Sequence, residues 1–562
     1  MAKKPLLKTV GTCALICATF LGCGRSDTTN DDVRHNSTGQ VSNQAKANIS
    51  YYAAARFAEQ VSFGATPELI EEIQKLGFEG WIDAQFALPA TTGSMPRDIM
   101  IATSDVTEKM RIEQKQGVFR ADNFWSTALT APDQLRQRVA WSIFQYIPVS
   151  QGAVNGSLEY YNMLRKNAFG NYVDLLRDVT IHPAMGVYLN NEQNRPNSPE
   201  CLGCTPNENY ARELMQLFSV GVVQLNADGT TVRDAQRKVK ETYTQKDVEE
   251  LARALTGWTA PPNTTGLSGQ YWPHFNQPMV PESQAFLHDS GQKTVMGNVL
   301  KAGMSAPEEL NAVVAMLMKH QNVAPFVSLR LIQHLVMSNP SPQYLSRISA
   351  KFQNNGKGVA GDLRAVVKAI LLDPEARIAD QINVGDKNNG KLREPILWQT
   401  AVYRGMGCKR MTHGIWQGIE YVDGVSNQDP VNIPSIFSFY QATDLAPGSN
   451  LLAPEQKLLN TVAFTDRLGT LNWRFADPNN PTYQENLSKT ACNMNELSMA
   501  FKASPSAYLD LVSKRWFRGA MPTTLRNNLL SLIQGDSWGT PEQRALSVLQ
   551  FALTSPSFGV IK

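Results

Sequence analysis

The chain has 562 residues, 42% of them hydrophobic and 18% charged, with 53 Lys and Arg against 50 Asp and Glu. This balance excludes a disordered protein and gives enough length for one large or two medium domains with a real core. A formal net charge of +3 implies no strong electrostatic partner, and nothing points to nucleic acid.

The chain opens on a basic stretch, "MAKKPLLK", then an apolar run, "TVGTCALICATFLG", with Cys23 directly after Gly22. Basic, apolar and small-residue regions in that order predict a secretory signal peptide over 1–22. The run is too short for a permanent membrane-spanning helix. Its end, Leu21-Gly22-Cys23, resembles a bacterial lipobox, although Phe20 stands where Leu is usual. That resemblance implies that Cys23 is lipidated and becomes the first mature residue, and Gly24 after it favours the outer membrane. Residues 23–48 carry almost no large apolar side chains and cannot offset the entropy of ordering, so they predict a flexible tether. No later segment reaches about 18 consecutive apolar residues. The expectation is an exported outer-membrane lipoprotein, facing the periplasm or the surface, whose anchor at Cys23 tethers a soluble domain over 49–562.

Helical periodicity dominates that domain. From Thr66, "TPELIEEIQKLGFEGWIDAQFAL" begins with an N-cap threonine and Pro67 at the first helical position, and Gly77 stops the first apolar stripe. Residues 131–147 place Leu135, Val139, Ala140, Ile143 and Phe144 on one helical face. A third helix, 243–258, has Thr244 three residues before Asp247, close to a capping box, and Gly257 at its end. Further helices are expected at 308–320, 324–337, 361–372, 454–468, 505–515 and 541–553. Alternating strand patterns are scarce, with one short hairpin expected within 280–297. The fold class is mainly α. Three apolar helices run into a polar residue and Pro, at "TIHPAM", "LLDPEA" and "LTSPSF", which reads as a helix stop each time.

"CTPNENYARELMQLFSVGV" (204–222) is the densest candidate site. Asn207 suits an N-cap, and Tyr210, Leu214, Leu217 and Phe218 form an apolar face. Glu208 with Arg212, and Asn209 with Glu213, are i,i+4 pairs on the opposite side. An exposed ion-pair strip accounts for that pattern, and a buried ligand or catalytic site accounts for it too. "HDSGQKT" offers His288, Asp289 and Lys293 on a Gly-containing turn, either as acid, base and cation or as a polar turn. Cys201, Cys204, Cys408 and Cys492 allow two bridges in three pairings. Cys201-Leu-Gly-Cys204 has no following His for haem and no second close pair for a zinc ribbon. Its Pro-rich setting favours a short structural disulfide. His182 precedes Pro183 at a helix end, His320 and His334 are spaced for no common face, and His413 stands alone. No nucleotide-binding or zincin motif occurs.

Taken together, "SFGATPELIEEIQKLGFEGWIDAQFALP", "LRQRVAWSIFQYIPVS", "NENYARELMQLFSVGV", "YTQKDVEELARALTGW", "HDSGQKTVMG", "LREPI", "PSIFSFY", "LLAPE" and the closing "SPSF" resemble the bacterial DUF1800 proteins, an uncharacterised envelope family. The resemblance spans nearly all of 49–562. It implies a mostly helical architecture and export, and no reaction. Many relatives carry Trp-His-Asn-His in the second block, where this chain has Ile143, Phe144, Gln145 and Tyr146, so a metal site there is not expected to carry over. Two functions remain open. One is a binding or scaffold protein for an envelope protein or polymer, with Asn207, Asn209, Arg212 and Lys293 as binding groups. The other is a hydrolase-like enzyme drawing acid and base from Glu208, Glu213, Asp247, His288 and Asp289. Any metal is undefined, and oxygen ligands of this kind would suit a hard divalent cation such as Ca²⁺ or Mg²⁺.

Overall fold

Periodicity becomes helix in the computed structural model, which describes residues 49–96, 105–150, 156–199, 201–261, 275, 277–382, 389–410, 427–430, 432–465, 467–468, 490–491, 495–535 and 539–562. The first part supplies α1 (Tyr51–Val61), α2 (Pro67–Ala87), α3 (Val106–Thr130), α4 (Gln134–Phe144), α5 (Ser157–Asn167), α6 (Tyr172–Thr180), α7 (Pro183–Tyr188), α8 (Asn209–Gln216) and α9 (Gln245–Ala254). After two short strands, β1 (Trp258–Thr259) and β2 (Val280–Pro281), a hairpin of β3 (Lys293–Val295) and β4 (Asn298–Leu300) leads into α10 (Ala306–Lys319). Then come α11 (Val323–Leu335), α12 (Pro342–Gln353), α13 (Leu363–Leu372), α14 (Pro374–Arg377), β5 (Lys391–Leu392), α15 (Pro395–Gly405) and β6 (Lys409–Arg410). The C-terminal part holds β7 (Thr490–Ala491), α16 (Asn495–Ala503), α17 (Pro505–Trp516), α18 (Thr523–Gly535), α19 (Pro541–Thr554) and β8 (Val560–Ile561). The fold is mainly α, and its strands form two-stranded antiparallel ladders.

Local chemistry sets most boundaries. Thr66 Oγ1 accepts from the Leu69 amide to start α2. Gly77, at φ +78°, interrupts that helix, and a second helical stretch follows immediately where the sequence pattern suggested only a stop. Thr244 and Asp247 form a complete capping box on α9. The segment expected as one helix over 454–468 instead opens with a 3₁₀ turn, Pro454–Leu458, before helix resumes at 461. Of the Pro-terminated helices, α6 and α13 are followed by new short helices that start on Pro183 and Pro374. A β3–β4 hairpin appears just C-terminal of the expected place, reaching Leu300.

Among the described residues two large hydrophobic clusters form, besides a small one of Met95 and Leu158. The larger joins α1, α2, α4, α6 and α8–α13 around Trp81, Trp141, Leu175, Leu214, Leu251 and Leu331. The second gathers Trp398, Val402, Leu509, Val512 and Leu549 from α15, α17 and α19. Gly64 lets the α1–α2 turn meet α15, because a Cβ there would stand 2.6 Å from the Ala401 Cα. β5 pairs with β8, Lys391 opposite Ile561, so the end of the chain closes against the "LREPI" segment.

That segment carries a fully buried carboxylate. Glu394, next to Pro395 at the start of α15, accepts from Trp141 Nε1 at 2.8 Å, Gln145 Nε2 at 3.0 Å, Gln428 Nε2 at 3.0 Å and Tyr440 Oη at 2.9 Å. Lys391 pairs with buried Glu455 at 2.9 Å, and Arg138 Nη2 donates to the His334 carbonyl at 2.5 Å. Burial pushes the Glu394 carboxyl up, but Lys391, Arg138 and the four donors outweigh it and hold it at about 2. Two cations face two carboxylates, so the network is closed in charge. Of the run Ile143, Phe144, Gln145 and Tyr146, Gln145 joins this network and Ile143 and Phe144 pack in the core.

Because the folded pKa of Glu394 lies below its ordinary 4.5, its stabilisation is present above pH 4.5 and is lost as pH falls toward about 2. Replacing it by Gln leaves the two cations under-compensated. Urea unfolding of Glu394→Gln at pH 7 is expected to show a loss of about 3–5 kcal/mol, and the variant's stability should depend less on pH between 4.5 and 2 than that of the parent.

Candidate functional site

The loop between α7 and α8, residues 189–208, walls a cleft of about 400 Å³. Asn190, Glu192, Gln193, Asn194, Thr205 and Asn207 supply most of its polar lining. Two of these, Asn190 at φ 58° and Gln193 at φ 55°, adopt left-handed backbone, which is uncommon outside glycine and is kept only where surrounding contacts fix it. The contacts here are specific. Buried Asn194 accepts from the Asn207 amide at 2.7 Å and donates to the Asn207 carbonyl at 3.2 Å, so one side chain satisfies both main-chain groups across the cleft floor. The Gln193 amide donates to the Trp258 carbonyl at 2.8 Å, and the Gly257 amide donates to the Asn194 carbonyl at 2.9 Å. Arg195 pairs with Glu282 at 2.5 Å. On the rim, Cys201 and Cys204 are joined by a disulfide, with Leu202 86% exposed at its tip. Cys408 is also disulfide-bonded, while Cys492 lies outside the described residues.

Side-chain amides carry both a donor and an acceptor, so this lining matches neutral hydroxyl and amide groups better than a point charge. Among the described residues Glu192 is the one carboxylate in the cleft wall, and partial burial raises its pKa, while Arg195, the cation in the wall, is paired with Glu282.

The sequence candidates divide among several places. Asn207 lines the cleft, and its Oδ1 accepts from the Asn209 amide at 3.0 Å, one position before the cap residue, Glu208. Asn209 Nδ2 donates to Asn190 Oδ1 at 3.0 Å and so braces the cleft from behind. Glu208 and Arg212 pair at 2.7 Å on the surface, with Gln245 bonded to both. Glu213 is half-buried, burial raises its pKa, and its Oε2 has no hydrogen-bond partner among the described residues. Asp247 caps α9 and also accepts from the Met296 amide at 2.6 Å, tying the β3–β4 turn to that helix.

His288, Asp289 and Lys293 belong to a second network at the other end of α9. Arg253 forks onto Asp289 at 2.8 and 3.1 Å and reaches Glu250 at 2.8 Å. Burial pushes Asp289 up, but Arg253 outweighs it and leaves the carboxyl below its usual range. Fully buried Lys293 pairs with Glu309 at 2.7 Å. His288 Nδ1 lies 3.0 Å from the Thr256 carbonyl, its Nε2 is 3.6 Å from Glu309, and burial lowers its pKa. Gly257, at φ +81°, permits this packing, since a Cβ would stand 2.7 Å from the His288 Cβ. From Gln245 to Arg253 is roughly 12 Å along a helix, so the 207–213 strip and the 288–293 turn do not share the cleft. Among the described residues, no three His, Cys, Asp or Glu side chains are placed to hold a metal ion.

Sequence reading passed over two sets of residues. Asn190 to Asn194 form the cleft wall, and their signal was the run "LNNEQNRPN", unusually rich in amides for a loop. Glu394 and Glu455 lie in "LREPI" and "LLAPE", with Lys391 directly before the first, and these stretches carried no chemical pattern of their own until folding brought them together.

A family model described as "Protein of unknown function (DUF1800)" matches residues 56–560, so the chain belongs to that family. No curated protein and no solved structure matches it.

Asn194→Ala removes both bonds to the Asn207 main chain and is expected to cost about 2–3 kcal/mol, measured by urea unfolding. Burial raises Glu309 from the ordinary 4.5 to about 7, partly offset by Lys293. A raised carboxyl pKa favours folding below pH 4.5, and that contribution is lost as pH rises through 7. Glu309→Gln should flatten the pH dependence of stability across this window.

Proposed function

We propose that this member of the DUF1800 family is a lipid-anchored envelope protein that binds a polar envelope polymer or partner in the 190–207 cleft. The observation that carries this reading is the pinned amide lining. Asn194 fixes the floor through both main-chain groups of Asn207, while Asn190 and Gln193 hold left-handed backbone beside open space. Amides paired with hydroxyls and N-acetyl groups make an N-acetylated glycan the best chemical match. The anchor rests on the apolar leader and Cys23. No helix among the described residues is long and apolar enough to cross a membrane, which is compatible with attachment through lipid.

The alternative, a hydrolase using Glu208, Glu213, Asp247, His288 and Asp289, has weaker support. Asp247 is committed to capping, Asp289 to Arg253, and Glu208 to Arg212, each by direct hydrogen bonds.

Co-sedimentation of the full-length chain with insoluble N-acetylated glycan is the direct test. The double variant Asn190→Ala/Gln193→Ala should reduce retention on the order of tenfold, the loss of about 1.4 kcal/mol. Retention equal to the parent's would refute glycan binding in the cleft. In fractionated cells Cys23→Ala should leave the membrane, and continued attachment would remove the lipid anchor from the proposal.

A further inference from the structure

Three of the charge networks among the described residues differ in charge balance. Around Glu394, two cations face two carboxylates. Around Glu309, Arg253 and Lys293 face Glu250, Asp289 and Glu309. The third lies where α1, α14, the segment before α15 and the turn after α17 meet. Arg56 and Arg393 are 0% and 1% exposed, and Arg377 and Arg518 are mostly buried beside them. Their carboxylate partners are Glu59 and Asp380. Glu59 takes Arg393 at 3.0 Å and Arg518 at 2.6 Å, while Asp380 takes Arg56 at 2.7 Å and lies 3.5 Å from Arg377. Four guanidiniums against two carboxylates leave an excess of two positive charges. A carboxylate at Lys562, whose main-chain oxygen lies 3.5 Å from Gln60 Nε2, would still leave an excess of one.

The excess has unused donors. Among the described residues, Arg56 Nε and Nη2, Arg377 Nε and Arg518 Nε have no hydrogen-bond partner. Arg377 lies against the paired rings of Phe57 and Phe78, 5.1 and 5.2 Å from their centroids, and its Nη2 donates to Gln60 Oε1. Arg518 sits at φ 57°, a left-handed backbone that brings its guanidinium back to Glu59. Burial lowers the pKa of Arg377 to about 10, so it remains charged at neutral pH. Ordered water can satisfy an orphan N–H, but it cannot neutralise a desolvated cation.

We propose that Arg56, Arg377 and Arg518 form a site for a small oxyanion, a phosphate or phosphomonoester, which supplies the missing negative charge. Tetrahedral oxyanions match the guanidinium fork, accepting two parallel N–H bonds from one arginine and further bonds from its neighbours. The site is separate from the 190–207 cleft and shares no residue with it.

The test uses the full-length chain, titrated with inorganic phosphate and, separately, with glycerol phosphate, at ionic strength held constant with chloride. Either ligand should raise the thermal midpoint saturably. Arg518→Gln should weaken that response on the order of tenfold, as the loss of one charge-assisted contact implies. Asp380→Asn removes a competing negative charge and should tighten it, so the proposal stays testable if Arg518→Gln does not fold. A response to glycerol phosphate as strong as that to phosphate identifies an esterified ligand, and a response to phosphate alone identifies the free ion. No saturable response to either, an unchanged affinity in folded Arg518→Gln, or an unchanged or weaker affinity in Asp380→Asn would overturn the proposal.

Discussion

The constraint on which the rest of the architecture depends is the burial of Glu394 with its charge intact. A carboxylate stripped of water is tolerated only where donors and cations surround it, and these come from distant parts of the chain. Trp141 and Gln145 lie at or beside the end of α4, Lys391 on β5, and Tyr440 and Glu455 on segments after α15. Satisfying one side chain therefore fixes the register of α4 against α15 and holds the β5–β8 pairing that returns the chain end to the body. Arg138 extends the same network to α11 through the His334 carbonyl.

From α4 that rigidity passes through α5 and α6, which pack in series, to α7 and the loop that walls the cleft. The loop itself is held by polar detail. Asn194 reads both main-chain groups of Asn207, Gly257 and Trp258 tie the loop to β1, and a disulfide closes the outer rim. A cleft with left-handed residues in its wall needs that support, because without it the backbone would relax toward ordinary conformations. Its chemistry follows from the side chains left unused by this bracing. The networks around Asp247, Asp289 and Glu309 are by contrast occupied with holding α9, the hairpin and α10 together.

Much of the fold was legible because helix formation is local. The capping box of Thr244 and Asp247, the threonine cap and proline before Leu69, and the apolar stripes of α4 and α9 act over one or two turns, within reach of sequence spacing. Gly77 was legible as a break, but whether helix resumes after a break depends on packing, and the continuation to Ala87 buries Trp81 and Phe86. The 3₁₀ turn at Pro454 likewise follows from the buried pairing of Glu455 with Lys391, a contact that no local pattern announces.

By itself, then, the sequence determined the mainly α class, most helix boundaries, the family and the groups able to do polar chemistry, because each is written in neighbouring residues. Tertiary structure alone decided which of those groups meet. Glu208 and Arg212 pair on the surface while Asn207, one residue earlier and outside α8, faces a cleft, an outcome set by how the loop before the helix packs. Charge balance is equally non-local. Glu394 is matched and the arginines around Arg56 are not, and that difference exists only once segments more than 300 residues apart desolvate the same charges.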